Sequence, residues 1–348
     1  MRKNLNYLIL GICAATLSIF ATQNLLNATL DSVSTKKESN NQIKLARSEL
    51  EAFVEEKETL TQQQLNEQSV LAVSWMQQSG EYVALAHQAF NTAKIAFDSA
   101  IALGVKHPAV VVDIDETILD NSAYQAGLID TNNFFNPSDW NEWVRHKKAK
   151  AIPGAVEFVN YVNANGGKIF FVSDRAESSS KNRQNNDLEL ATIVNLKAVG
   201  FTGVSERSVL LKGEFSQTIE GKEDTSKQFR REAVENGSAD GIEHNIVVLI
   251  GDNLNDLDNL AGETNNQRRA HVEANKSQYG VFNAIKEKDG FEPAYIILPN
   301  PVYGAWESGL YEPEAFNKKL GFELNPSEKN QQRKSKLIRW SFPTLSIY

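Results

Sequence analysis

Cysteine and histidine are scarce in this 348-residue sequence, and negative charges outnumber positive ones. Cys13 is the only cysteine, so no disulfide can form within the chain. The five histidines lack the short spacings of zinc ligands, which argues against a zinc site or a histidine-based nucleophile relay. A formal net charge of -8 argues against a nucleic-acid polymer as a partner. The composition is otherwise that of a soluble globular protein, without internal repeats or low-complexity tracts.

The longest largely apolar run lies near the N-terminus, at residues 8–21, after a basic start. It has the length of a signal-peptide core and is short for a membrane span. We therefore predict a signal peptide over residues 1–21 and an exported protein, either periplasmic or attached to the outer membrane or cell surface. Lipid attachment at Cys13 is left open, because bulky Ile12 stands where such signals usually carry a small residue. A buried helix is the alternative interpretation.

The rest of the chain changes in composition along its length. Residues 22–64 are polar and charged, which predicts a spacer, and residues 313–348 are expected to form a solvated C-terminal tail. Over residues 65–104, apolar residues recur at spacings of three and four, and Gly80 separates two helical stretches. We expect a smaller helical accessory domain there, followed by the core domain at residues 105–312.

The core segment alternates short apolar runs with amphipathic stretches. Five runs are strand candidates, at residues 109–113, 168–173, 209–211, 246–250 and 295–298. Three helical patterns lie among them, at residues 154–165, 188–199 and 226–235. Apolar strands separated by helices predict an α/β fold with a parallel sheet covered on both faces. In such Rossmann-like folds, ligands bind beyond the carboxyl ends of the strands.

Two aspartates follow the first strand in "VVVDIDETILDNS". Carboxylates this close raise each other's pKa unless a positive partner neutralises them. Asp252 follows the fourth strand and is expected at the same edge of the sheet. Mg²⁺ prefers oxygen ligands of this kind and leaves positions open for water and phosphate oxygens. The predicted Mg²⁺ site has three ligands and two supporting side chains: Asp113, Asp115 and Asp252, with Asn253 and Asp256 behind them.

The same carboxylates are suited to phosphoryl transfer. Asp113, at the strand tip, is the candidate nucleophile and would form an aspartyl-phosphate. Asp115 would donate a proton to the leaving oxygen and later accept one from water. Negative charge on the phosphoryl group requires fixed donors nearby. The predicted phosphate site consists of the polar residues that follow the second strand and of the lysine at a helix start: Ser173, Asp174, Arg175 and Lys227.

Four motifs follow one another along the chain in this order: "DIDET", "VSDR", "DTSK" and "GDNLNDLD". With them the chain resembles the haloacid dehalogenase (HAD) superfamily. "DIDETILDNSAY", "WVRHKKAKAIPGAVEFVNYV" and "ILPNPVYGAWE" make it similar to the class C acid phosphatases of the bacterial lipoprotein e type, over residues 65–310. The resemblance implies a Mg²⁺-dependent phosphomonoesterase that often acts on 5′-nucleotides. It implies these roles: nucleophile Asp113, acid and base Asp115, phosphate contacts Ser173 and Lys227, and metal binding by Asp113, Asp252 and the Asp115 carbonyl.

Aromatic residues indicate how the rest of the substrate is bound. Phe135 and Trp140 follow the first motif, and Tyr303 and Trp306 lie near the end of the matched region. Their faces are candidates for stacking a nucleobase, which contributes about 1–3 kcal/mol per base. The alternative for Trp140, which stands three residues before Trp143, is the packing of a helix onto the core.

The sequence departs from the family pattern in three respects. Asp174 stands where relatives commonly have Asn, which brings another negative charge to the phosphate site. The segment between Lys212 and Lys227 is longer than usual. The family's lipid-attachment cysteine is not clearly matched, so association with the outer membrane is left open.

Three functions are compatible with these observations. The favoured one is an exported phosphatase for small phosphate esters, with 5′-nucleotides as the expected class. A non-catalytic exported binding or surface protein on the same scaffold is an alternative. Against it, every motif position carries a residue that can do the chemistry. A dehalogenase is the third, and Asp115 argues against it because an acid at that position suits phosphate leaving groups. The preferred ester and the oligomeric state, a dimer included, stay open.

Overall fold

The computed structural model describes residues 59–176, 187–219, 221–260, 263–285, 290–312 and 324–340. The described residues from Leu60 onward belong to one compact unit. The predicted signal peptide and nearly all of the predicted spacer lie outside the described residues. Within the described ranges, no helix combines the length and the apolar character needed to cross a bilayer.

Helices precede the sheet and then alternate with its strands. The helices of the described residues are α1 Gln62–Asn66, α2 Val70–Gln78, α3 Gly80–Ala102, α4 Ser122–Leu128, α5 Pro137–His146, α6 Ala155–Ala164, α7 Asp187–Ala198, α8 Lys227–Glu235, α9 Leu254–Leu257, α10 Asn265–Ala274, α11 Ala305–Ser308 and α12 Pro326–Ser335. The strands are β1 Pro108–Val112, β2 Leu119–Asp120, β3 Lys150–Ala151, β4 Lys168–Ala176, β5 Val209–Lys212, β6 Gln217–Ile219, β7 Lys222–Asp224, β8 Asn245–Gly251, β9 Asn283–Ile285, β10 Gly290–Glu292 and β11 Ala294–Ile297.

Five strands form one parallel sheet in the order β11-β8-β1-β4-β5. β1 lies at its centre, where an apolar strand is buried on both faces. Because side chains alternate along a strand, Val110 and Val112 join the core that α3 and α6 cover. Ala109 and Val111 join the opposite core, which includes side chains of α8 and α9. The prediction of a Rossmann-like core with a parallel sheet covered on both faces is confirmed.

All five predicted strands and all three predicted core helices form, with ends shifted by at most three residues. The predicted break between the N-terminal helices is also present, since Ser79 caps α3 by accepting the Tyr82 N–H at 3.0 Å. Phe90 and Phe97 of α3 lie in the same core as β1, and truncating such a phenylalanine costs about 3–5 kcal/mol. The division of the chain into accessory and core domains stays a prediction.

Several elements of the fold have no counterpart in the sequence-based prediction, among them a hairpin and a C-terminal helix. The antiparallel hairpin of β6 and β7 occupies the long segment before Lys227. Within the segment expected as a solvated tail, α12 begins behind the N-cap residue Asn325. Gln332 of α12 is buried, and Arg333 pairs with Glu307 at 2.5 Å. Because Pro326 is the only residue of α12 with an apolar side chain, a hydrophobic pattern could not have predicted that the helix packs.

Candidate active site

The carboxyl ends of β1, β4 and β8 meet at one edge of the sheet. Asp113 directly follows β1, and its N–H donates to the Ile250 carbonyl at 2.9 Å, so the pairing of β1 with β8 continues to Asp113. Asp252 follows β8, and Ser173 lies in the last part of β4. These strands are parallel neighbours, and the predicted residues at their ends are therefore brought together.

Asp113 is held by contacts from two sides. Lys227, the first residue of α8, pairs through Nζ with Asp113 and, at 2.7 Å, with Asp256. The Thr117 hydroxyl lies 3.1 Å from Asp113 and 3.4 Å from Asp252. Asp113, Thr117, Lys227 and Asp256 are all buried. The side chain of Asp113 is thus fixed at the tip of the central strand.

This buried cluster contains more negative than positive charge. Carboxylate oxygens of Asp113, Asp252 and Asp256 lie within 4.8 Å of one another. Burial raises the pKa of Asp113 to about 7, and the carboxylates of Asp256 and Asp115 act in the same direction. The positive charge of Lys227 opposes this rise. Burial and the neighbouring carboxylates also raise the pKa of Asp252 well above its ordinary value. Burial disfavours the charge of Lys227, but the surrounding aspartates outweigh that effect and raise its pKa.

The residues of this cluster fit a divalent cation. One lysine among three carboxylates leaves two negative charges, which a divalent ion would balance. Carboxylate oxygens are also the ligands that Mg²⁺ prefers. The side chains that converge are Asp113, Asp252 and Asp256, whereas the sequence-based prediction gave Asp256 a supporting place and made Asp115 a ligand. The carboxylate of Asp115 is engaged by another partner.

Arg175 is the partner of Asp115. Its Nε donates to the two carboxylate oxygens at 3.1 and 3.0 Å, and its Nη2 donates to Oδ1 at 2.7 Å. Along β4, Ser173 and Arg175 are buried while Asp174 between them is exposed, as alternation in a strand requires. Of the residues predicted to bind phosphate, Arg175 is therefore paired with the predicted proton donor.

Asp174 also has a positive partner, which sequence reasoning missed. Arg230 is fully buried and donates to the Asp174 carboxylate at 2.9 Å and to the Ser173 carbonyl. Arg230 stands three residues after Lys227, so α8 presents both cations on one face. The extra negative charge of the exposed Asp174 is thereby balanced by a buried arginine. A basic pair such as Arg230 and Arg231 in an amphipathic helix carries no sequence signal that distinguishes a buried arginine from an exposed one.

Glu116 is a second residue whose place the sequence did not indicate. It is buried, and burial together with the charge of Asp115 raises the pKa of Glu116 to about 8. The Tyr303 hydroxyl donates to Glu116, and the Asn121 backbone N–H donates to its Oε1 at 2.7 Å. Trp143 donates through Nε1 to Asn121 Oδ1 at 2.8 Å. These contacts form a polar layer directly behind Asp115.

Asn253 and Asp256, the predicted supporting residues, form a capping box at the start of α9. The Asn253 N–H donates to Asp256 Oδ2 at 2.9 Å. Arg268 of α10, which the sequence did not single out, donates to Asn253 Oδ1 at 2.9 Å. Asn300 donates to Asp252 at 2.8 Å. Asp252 is thus held by a side chain from the segment after β11, and Asn253 by one from α10.

The four predicted aromatic residues lie in two pairs. Trp306 is 39% exposed, and its Nε1 donates to the Tyr303 carbonyl at 3.0 Å, close to the Asp252 side of the site. Phe135 and Trp140 have ring centroids 6.2 Å apart. Trp140 packs against a small apolar cluster that includes Leu188, while Phe135 is 54% exposed. Phe135 and Trp306 therefore offer the accessible aromatic faces of the set.

Two cavities flank the carboxylate cluster. One, of about 680 Å³, is lined by residues that include Asp252, Asn253 and Trp306. The other, of about 470 Å³, is lined by Asp174 and Lys227 and by residues of β6 and β7. Both volumes are in the range of small-molecule pockets. Asp252 and Lys227, which belong to the same cluster as Asp113, thus each border a cavity large enough for a small ester.

Known proteins share both the sequence pattern and the fold. The sequence matches the family described as "HAD superfamily, subfamily IIIB (Acid phosphatase)" over residues 30–306. The structure is similar to that of the class C acid phosphatase from Bacillus anthracis, with a TM-score of 0.64 and 32% identity over 80% of this chain and 99% of that chain. A structure of the class C acid phosphatase from Bacillus anthracis with tungstate bound matches with a TM-score of 0.64 and 31% identity, covering 79% and 99% of the two chains.

Proposed function

Since the chain belongs to the subfamily IIIB acid phosphatases of the HAD superfamily, we propose that it is an exported Mg²⁺-dependent phosphatase that acts through a phosphorylated Asp113. The motifs predicted this family, and membership of it identifies the chain as a phosphomonoesterase. The observation that carries the proposed mechanism is the position of Asp113 at the tip of the central strand, in contact with Lys227 and beside two further carboxylates. Asp115 follows two residues later and supplies the proton-transfer group.

In the first proposed step, a carboxylate oxygen of Asp113 attacks the phosphorus atom of the ester. The bond between this oxygen and phosphorus forms as the bond from phosphorus to the alcohol oxygen breaks. Asp115 donates a proton to the departing oxygen, so that the alcohol leaves as a neutral molecule. Lys227 and the hydroxyl of Ser173 stabilise the charge on the remaining phosphoryl oxygens. The contact of Lys227 with Asp113 supports this role, because it places the positive charge beside the attacking carboxylate.

In the second proposed step, a water molecule attacks the phosphorus atom of phosphorylated Asp113. Asp115 accepts a proton from this water as the bond between phosphorus and Asp113 breaks. Inorganic phosphate leaves, Asp113 is again a carboxylate, and Asp115 again carries its proton. A Mg²⁺ ion held by Asp113, Asp252 and Asp256, with the Asp115 carbonyl as a further ligand, would balance the charge of the cluster and polarise the phosphoryl oxygens.

Removal of divalent ions is expected to lower phosphate release from nitrophenyl phosphate by roughly 10²-fold or more, because such an ion contributes several kcal/mol of charge stabilisation. Added Mg²⁺ should restore the rate. Asp252→Asn should raise the Mg²⁺ concentration needed for half of the activity, since it removes one carboxylate of the cluster. Full activity after exhaustive chelation would show that the ion is not required.

The class of ester is a separate part of the proposal, and the exposed aromatic residues support 5′-nucleotides. We expect Phe135→Ala to lower kcat/KM for adenosine 5′-phosphate by about 5- to 150-fold, the equivalent of 1–3 kcal/mol of base stacking. Glycerol phosphate, which has no aromatic ring, should be hydrolysed nearly as well by the variant as by the wild type. Because Phe135 is half exposed, its removal should leave the fold intact. Equal losses on both esters would contradict a stacking role.

Export is supported by the sequence alone. The basic start and the apolar residues 8–21 have the order of a signal peptide. We propose that the enzyme acts outside the cytoplasm on esters that cannot readily enter the cell. Attachment to the outer membrane or cell surface through Cys13 stays a prediction, because residues 1–58 are outside the described part of the chain.

A further inference from the structure

Arg175 is enclosed by protein and directed at one carboxylate. Only 3% of the residue is exposed. Its Nε and Nη2 donate to Asp115, and its Nη1 donates to the buried hydroxyl of Thr192 in α7 at 3.0 Å. Three of the five N–H groups of the guanidinium are thus engaged inside the protein. A group in this position is poorly placed to receive a phosphate that arrives from the solvent.

We propose that Arg175 is a positioning residue that orients Asp115 for proton transfer and does not bind the phosphoryl group. This inference rests on the proposed function, in which Asp115 protonates the leaving oxygen. A guanidinium that contacts both oxygens of a carboxylate fixes the plane of that carboxylate as well as its distance. Thr192 holds the far end of the guanidinium, so α7 helps to set its orientation.

The contacts also distinguish the two oxygens of Asp115. Oδ1 accepts from Arg175 Nη2 at 2.7 Å, from Asn121 Nδ2 at 2.9 Å and from Arg175 Nε at 3.1 Å. Oδ2 accepts from Arg175 Nε at 3.0 Å and lies 3.5 Å from the Ser173 hydroxyl. Ser173 is itself at the predicted phosphate site. The geometry therefore assigns Oδ2 as the oxygen that carries the transferred proton, since Oδ1 is already saturated with donors.

This assignment predicts that the effect of Arg175 depends on the alcohol that leaves. An alkyl alcohol is a poor leaving group and needs the proton of Asp115, whereas nitrophenol departs as a stable anion and needs it little. A phosphate-binding residue would instead affect all esters alike, because they share the same phosphoryl group. The dependence of kcat/KM on the acidity of the leaving alcohol separates these two roles, since kcat/KM reports the first chemical step.

The experiment measures kcat/KM for nitrophenyl, phenyl and glycerol phosphates with the full-length wild type and Arg175→Lys. We expect the variant to lose about 10²-fold on glycerol phosphate and no more than about threefold on nitrophenyl phosphate. Inhibition by inorganic phosphate should change by no more than about threefold. Thr192→Val leaves Arg175 in place but removes its hydrogen-bond partner. Its losses of kcat/KM should rank the three esters in the same order, but each loss should be smaller. Ser173→Ala, at the phosphate site, should lower kcat/KM more evenly across the esters.

Three results would overturn the inference. A loss in Arg175→Lys that is equal for all three esters, together with weaker inhibition by phosphate, would make Arg175 a phosphate ligand while leaving the proposed function intact. Should Arg175→Lys fail to fold, Thr192→Val decides, and a uniform loss or no loss in that variant counts against positioning. A wild-type enzyme that releases no phosphate from any ester would instead contradict the proposed function and this inference with it.

Discussion

Replacing Asp113 by Asn is expected to lower kcat by roughly 10⁴-fold or more, because an amide keeps the shape of the side chain but is a far weaker nucleophile. The nearest alternative carboxylate along the chain, Asp115, is paired with Arg175 and is not positioned to take over the attack. The fold should persist. Lys227 keeps its contact with Asp256, and the substitution removes one charge from a cluster that has an excess of negative charge.

Kinetics and protein mass test this prediction together. Wild-type protein quenched in acid during turnover should carry one added phosphoryl group on Asp113, and Asp113→Asn should carry none. Asp258→Asn is the matched control, because Asp258 lies just after α9, is about half exposed and pairs with His271 outside the cluster. Turnover of Asp113→Asn within about tenfold of the wild type would exclude Asp113 as the nucleophile.

The strands and the edge that carries the site could be predicted because they depend on patterns of the sequence itself. β1 and β8 are continuous apolar runs, and a strand buried on both faces requires such a run. Asp113 and Asp252 each follow one of these runs directly. Since parallel strands end at a common edge, topology alone brings the two aspartates together before any side-chain contact is known.

The pairing of charges within the site could not be predicted in the same way. "VSDR" shows that a serine, an acid and an arginine follow one another, and alternation in β4 places Ser173 and Arg175 on one side. Whether Arg175 faces an incoming phosphate or the neighbouring Asp115 depends on Thr192, which α7 brings to its far end. Arg230 is similar, since its burial depends on how α8 lies against β4. Such contacts join residues distant in sequence, and periodicity within one segment does not encode them.

Replacing Lys227 by Met is expected to lower the free energy of unfolding at neutral pH by about 3–5 kcal/mol, the usual effect of removing one partner from a buried ion pair. Lys227 contacts both Asp113 and Asp256, and both carboxylates would be left without this cation. Methionine fills a similar volume, so the change is mainly one of charge. Turnover should also fall, because Lys227 stabilises the transferred phosphoryl group in the proposed mechanism.

The loss of stability should depend on pH in a direction that the pKa of Asp113 determines. That pKa is about 7 in the folded protein and roughly 4 in an unfolded chain. Below the unfolded value, both states carry the proton, and Asp113 has no charge that needs a partner. As the pH rises from there through about 7, the unfolded state releases its proton first, so ionisation of Asp113 favours unfolding. Without Lys227 this effect becomes larger, and the difference between variant and wild type should therefore grow toward neutral pH.

Chemical unfolding of both proteins in the presence of a chelator, at about pH 5 and about pH 8, measures this difference. The deficit of Lys227→Met should be several kcal/mol at the higher pH and should shrink at the lower one, as the carboxylates take up protons. Lys212→Met is the matched control, since it removes the same charge from an exposed position at the end of β5 and should change stability by no more than about 0.5 kcal/mol. A deficit that is constant or grows on acidification would mean that Lys227 does not stabilise the protein by neutralising Asp113 and Asp256. The charge balance that makes these carboxylates a site for a divalent cation would then need a different explanation.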